Sequence, residues 1–174
     1  KKKANNTSFT TPKKKIDKTV AKRLHLKATD IKGYVKDHHY NNKFCFLVDM
    51  KIESGKKRFF VYNLEKDSIE LAGLVAHGSG KDYSSEIKFS NVSGSLCSSL
   101  GKYKIGRSYN GKFGLAYKLY GLDKTNSNAI NRFVVLHAHD CVPANETSPI
   151  PICESWGCPT VAPTFLTQLK TYLD

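Results

Sequence analysis

Apolar residues in this chain fall mostly into short runs bounded by polar turns, a spacing that predicts strands with a few helices. Residues 44–50 (FCFLVDM) and 58–64 (RFFVYNL) are nearly continuous apolar runs of the buried-strand kind, joined through Glu53-Ser54-Gly55-Lys56. A third strand is expected over 69–77, after the polar Glu65-Lys66-Asp67, and others over 101–108, 115–121 and 133–137. Between them, 78–99 reads as a long Ser- and Gly-rich loop, a length that compact domains keep for functional or mobile segments. Helical spacing is confined to a few places. Ile31, Tyr34 and Val35 share one face after Thr29 or Asp30, either of which can cap a helix running to about Tyr40 as a brace on the sheet. Residues 16–25 carry a poorer version of the pattern, and 123–132 has room for a helical turn. Pro163 is placed to open a last helix, with Phe165, Leu166, Leu169, Tyr172 and Leu173 on its inner side. The predicted fold class is mainly β, with a few short helices.

Length changes this picture little: 174 residues suit one domain with a real hydrophobic core. No run approaches the roughly eighteen apolar residues of a membrane-spanning helix. The sequence begins at Lys1 with neither a methionine nor an apolar leader, so an export signal, if the protein has one, is expected outside it. Net charge is +13, but it is unevenly placed: residues 1–43 hold 13 Lys and Arg against three Asp, and the rest hold 15 against 12 acids. Residues 1–15 carry too little apolar surface to fold. The division expected is a flexible basic extension, 1–28, and a folded body, 29–174. No nucleic-acid signature or interleaved aromatic residue accompanies the lysines, so the arm reads as solvated, with loose attraction to an anionic surface as the alternative.

Candidate chemistry lies near the C-terminus. Val134-Val135-Leu136 delivers His137 to a strand end, and about twenty residues later comes Ser155-Trp156-Gly157-Cys158-Pro159. A thiolate attacks carbon centres only where a neighbour lowers the thiol pKa or takes its proton. Gly157 lets the backbone bend sharply, so that N–H groups near Gly157 and Cys158 can face a reacting oxygen. Cys158 is therefore the candidate nucleophile and His137 its base. A zinc site built from His137, His139, Cys141, Cys153 and Cys158 is the competing reading, disfavoured because no Cys-x-x-Cys knuckle helps to close it. Five cysteines fit two bridges and one free thiol in an exported enzyme; Cys141 and Cys153 flank the intervening loop, and either a staple or free thiols fits there.

The run VVLHAHD…SWGCPTV resembles the active-site signature of the L,D-transpeptidase (YkuD-like) catalytic domain, in its Trp-Gly-Cys-Pro murein subfamily. Arg58-Phe59-Phe60-Val61-Tyr62, Val75-Ala76-His77-Gly78, Phe89-Ser90-Asn91, Ser98-Ser99-Leu100-Gly101-Lys102-Tyr103, Gly121-Leu122 and Thr125-Asn126-Ser127-Asn128-Ala129 extend the likeness, in order, across roughly 44–161. The resemblance implies a β-sandwich catalytic fold and a cysteine acyltransferase without a cofactor or metal. Its substrate would be a peptidoglycan stem peptide, attacked before the terminal D-Ala to give a thioester and then a 3→3 cross-link. A carboxypeptidase on the same substrate, or an inactive peptidoglycan-binding domain, is the alternative. Cys158, His137, Gly157 and Ala138 would be catalytic, the Ala138 carbonyl orienting the base. Ser155, Trp156, His139, His77, Ser98 and Ser99 would shape the substrate site. The expected setting is the periplasm or cell envelope, and the expected state a monomer.

Overall fold

The computed structural model describes residues 16–82 and 86–173. Helix α1, Lys18–Asp37, starts where the Asp17 carboxylate accepts from the N–H groups of Thr19 and Val20, at 2.8 and 3.2 Å. The cap is thus Asp17, and Thr29 and Asp30 sit mid-helix, where the Thr29 hydroxyl donates back to the His25 carbonyl. One helix replaces the two weak segments expected. It also crosses the boundary expected at 28/29, because Leu24 and Ala28 are buried along with Val35, so the packed body reaches back to Lys18. The arm expected at 1–15 lies outside the described residues.

Eight strands follow: β1 Phe44–Val48, β2 Phe59–Asn63, β3 Ser68–Gly73, β4 Val75–Ala76, β5 Tyr103–Gly111, β6 Gly114–Gly121, β7 Val135–Ala138 and β8 Thr160–Val161. Helix α2, Pro163–Leu173, ends the chain's ordered elements and buries Phe165, Leu166 and Leu169. The strands form two sheets, β1-β2-β3 and β4-β8-β7-β6-β5, making a mainly β sandwich with two helices. Every residue of β2 is buried because both its faces are covered. Phe59 and Val61 turn into the core between the sheets, with Leu74, Val75, Tyr117, Leu136, Val161 and Phe165; Phe60 and Tyr62 meet Leu24, Ala28 and Val35 of α1. That explains a continuous apolar run where a half-exposed strand would alternate. Each such side chain contributes about 1.5–3 kcal/mol when fully buried. Arg23 pins α1 to the sheet, its Nε and Nη2 each 2.8 Å from Asp49 Oδ2.

The strand expected over 69–77 is two strands in different sheets. Gly73 lies against the Phe165 ring, where a Cβ would collide at 2.5 Å, and Leu74 carries the chain across to β4. That crossing places His77 and Gly78 at the end of the second sheet, beside the Cys158 turn. β8 was not expected at all. It pairs antiparallel with β4 and parallel with β7, placing Thr160 opposite His137 and Cys158, two residues earlier, beside the start of β7. Among the described residues no helix is long and apolar enough to cross a membrane.

Candidate active site

The turn carrying Cys158 is closed by Ser155. Its hydroxyl accepts from the Gly157 N–H at 3.1 Å and donates to the Cys158 carbonyl at 2.6 Å. Gly157 has φ +113°, and a Cβ there would lie 2.8 Å from the Cys97 carbonyl, so glycine is required both for conformation and for space. Behind the turn, Gly78 bridges Ser155 in parallel, with Ser155 N–H donating to His77 O at 2.8 Å and Ser79 N–H to Ser155 O at 2.9 Å. Ser98 ties the layers together: its hydroxyl accepts from Gly78 N–H at 3.0 Å and donates to Gly157 O at 3.2 Å. In a trans peptide the carbonyl and the following N–H point opposite ways. Holding Gly157 O on Ser98 therefore turns the Cys158 N–H toward the other side. Gly157 N–H is spent on Ser155, and Pro159 has none, so the Cys158 N–H is the donor next to Sγ that can face a developing oxyanion.

The Cys158 thiol sits over the start of β7, 3.5 Å from Val135 N–H and 3.7 Å from Phe133 O. Burial pushes its pKa up, opposed by the Val135 N–H and the Arg132 guanidinium. Arg132 is itself fixed, donating to Ser90 O at 2.8 Å and Cys97 O at 2.6 Å. Phe133, next in the chain, adopts φ +56°, costly for a bulky side chain, and so directs its carbonyl at Sγ. Phe133 is 83 % exposed and Trp156 80 %, so these two aromatic residues stand in solvent.

His137 lies on β7, buried. Its Nδ1 is 3.0 Å from the carbonyl of Ala138, an acceptor only, so Nδ1 carries the proton and Nε2 the lone pair. Burial lowers the imidazole pKa, the Ala138 carbonyl opposes that, and His139 adds to the lowering. Nε2 faces the Thr160 hydroxyl at 3.1 Å, and the Phe113 ring stacks on the imidazole, centroids 5.0 Å apart. Sγ and Nε2 thus occupy neighbouring strands with separate partners. A neutral thiol beside a neutral base is the state these surroundings favour.

Of the residues expected on the substrate side, Trp156 and His139 are exposed. His77, Ser98 and Ser99 are buried behind the turn. Ser99 shares a 2.7 Å bond with the Tyr103 hydroxyl, and His77 Nδ1 accepts from Arg58 Nη2 at 2.8 Å. Burial, then the guanidinium, holds His77 down to about 4, so its 3.5 Å approach to Glu154 is that of a neutral ring. Ser155 closes the turn, while exposed His139 accepts from Cys141 N–H at 3.1 Å. Cys141 and Cys153 form a disulfide closing the loop between base and turn, worth about 3 kcal/mol in the chain-entropy account, and it takes two sulfurs from the zinc alternative. An apolar cavity of about 490 Å³ between β1, β5 and α1 reaches Gly157 and Pro159 from behind, away from Sγ.

Sequence reasoning missed Thr160, Phe113, Arg132 and Arg58 as parts of this assembly. Thr160, two residues past Cys158, and Arg58 had a signal, since both lie in motifs that carry the resemblance. The family model of the L,D-transpeptidase catalytic domain matches residues 13–174. No curated protein and no solved structure matches the chain. With that match over nearly its whole length, the chain belongs to the L,D-transpeptidase catalytic domain family.

Proposed function

We propose that this domain is a cysteine L,D-transpeptidase acting on peptidoglycan stem peptides. The observation that supports the reading is a sharply turned Cys158 beside the start of β7, the strand that carries a buried His137 whose tautomer is set by Ala138 O. Cys158 Sγ attacks the carbonyl that joins the L-centre of the third stem residue to the terminal D-Ala, and the thiol proton passes to His137 Nε2. The oxyanion forms opposite the Cys158 N–H. As the C–N bond breaks, His137 returns the proton to the departing D-Ala amine, leaving a thioester on Cys158. An amine from a neighbouring stem then attacks the thioester, giving its proton to His137, and the released thiolate takes that proton back. The product is a 3→3 cross-link.

The bond cleaved needs a carbonyl approached beside Trp156 and Phe133, exposed aromatic residues of the turn and of the segment before β7. The Cys141–Cys153 disulfide fits an oxidising compartment, supporting action in the cell envelope. Incubation with defined stem tetrapeptides, followed by mass spectrometry of products, tests the reaction. Cross-linked dimer with release of D-Ala is expected. Tripeptide alone would assign water as the acceptor, hence a carboxypeptidase, and unchanged tetrapeptide would leave a binding domain.

A further inference from the structure

His137 is held at three points: Ala138 O on Nδ1, Phe113 across one face at 17° between planes, and Thr160 on Nε2. The third is unexplained by the reaction just described, because Nε2 is the atom that must accept the thiol proton. Thr160 is in register with His137 across the parallel β7–β8 pair, so the two side chains stand on one face of the sheet. It is buried, and its oxygen lies 3.1 Å from Nε2 and 3.4 Å from the Cys158 carbonyl. A hydroxyl has one proton to give. With Nδ1 protonated, Nε2 can only accept, so in the neutral state the Thr160 proton goes there. The Cys158 carbonyl is already served by Ser155 at 2.6 Å and does not depend on it.

We propose that Thr160 is a positioning residue for the base, its hydroxyl proton capping the Nε2 lone pair until the thiol proton arrives. When Nε2 becomes an N–H, the Thr160 proton rotates to the Cys158 carbonyl, and its oxygen faces the imidazolium. Both protonation states of His137 then have a satisfied neighbour with no heavy atom displaced. This holds the ring in plane at the end of β7 and gives the protonated ring a charge-assisted bond, which helps Nε2 take up the thiol proton. The charge that bears on it is that of His139 on its own strand, and Lys112 Nζ lies over the outer ring of the stack, that of Phe113.

The inference rests on Cys158 and His137 acting as nucleophile and base. Its test reads them separately from peptidoglycan, through the pH dependence of Cys158 alkylation by iodoacetamide, alongside kcat and KM on a stem tetrapeptide. Thr160→Val keeps the branched shape and removes the donor. Thr160→Val removes a bond from both states, and the one to the imidazolium is charge-assisted and stronger, so the His137 pKa falls and the acid limb of alkylation should move down by about half to one pH unit. On the tetrapeptide, kcat should fall about tenfold with KM near that of the wild type. Thr160→Ser should restore both. A limb that stays in place or moves up in Thr160→Val, with only the melting temperature changed, would overturn the proposal. If alkylation responds as stated while no tetrapeptide is turned over, the transpeptidase reading fails and this inference stands.

Discussion

Arg58→Ala is expected to cost about 3–5 kcal/mol of unfolding free energy, the scale of removing one partner from a buried charged network. Arg58 is fully buried with no carboxylate among its hydrogen-bond partners. Its Nε and Nη2 both donate to Val75 O, at 3.0 and 2.9 Å, Nη1 to Ile52 O at 3.2 Å, and Nη2 also to His77 Nδ1. Among the described residues no buried side-chain nitrogen or oxygen lacks a partner, and this fork is one reason. Alanine would leave those acceptors unpaired beside a cavity, in the segment that leads to the Cys158 turn. A pH readout separates this from ordinary loss of packing. His77 sits at about 4 in the folded state against an ordinary value near 6.5, so the unfolded chain binds more protons between those values. Wild-type stability should therefore fall as pH drops from about 6.5 to 4. Burial is the larger cause and stays, but Arg58→Ala removes the guanidinium, so its acid-side loss should be shallower. Urea unfolding at several pH values measures both; an unchanged free energy, or an unchanged slope, would contradict this account.

Gly78→Ala should be nearly as damaging. A Cβ there would press on the Leu96 carbonyl and lie 2.6 Å from Ser98 N and 2.7 Å from Cys97 C, all backbone atoms that cannot rotate aside. The strand end and residues 96–98 must part, at a cost of about 3 kcal/mol, the upper range for overpacking. The separation would break the bonds from Gly78 N–H to Ser98 and from Ser98 to Gly157 O. Cys158 alkylation should slow by about tenfold or more, because the turn loses its orientation. Unfolding and alkylation within error of the wild type would mean that the Ser98 bridge does not hold the turn.

Much of the fold was legible because its strands carry dense apolar runs. The 58–64 run became β2, buried on both faces, and Pro163 opened α2 as expected. What misled was local. Asp17 lies in a Lys-rich stretch whose helical pattern is diluted by Lys22, Lys27 and Lys32, so α1 was split and started too late. Gly73 and Leu74 read as mid-strand although the chain changes sheet there, a feature set by Phe165 some ninety residues away. At the candidate site, Cys158 and His137 were picked out from a Gly-Cys-Pro turn and a strand end, and Ala138, named from the family resemblance, has its carbonyl 3.0 Å from His137 Nδ1. The supporting residues were not so legible. His77, Ser98 and Ser99 were visible as motifs, but their burial behind the turn depends on long-range contacts. Thr160 acquires its place only once β8 pairs with β7. Phe113 reaches His137 only because the β5–β6 hairpin folds over it.

The central claim is that Cys158 forms an acyl-enzyme with His137 as its base, and intact-mass measurement addresses it most directly. The protein is mixed with a stem tetrapeptide donor without acceptor, quenched in acid, weighed and digested. The account predicts an added mass equal to the tetrapeptide less D-Ala, mapped to Cys158, absent in Cys158→Ala and slowed by orders of magnitude in His137→Ala. An adduct that persists in Cys158→Ala, or maps to Cys45 or Cys97, the other free thiols, would contradict it.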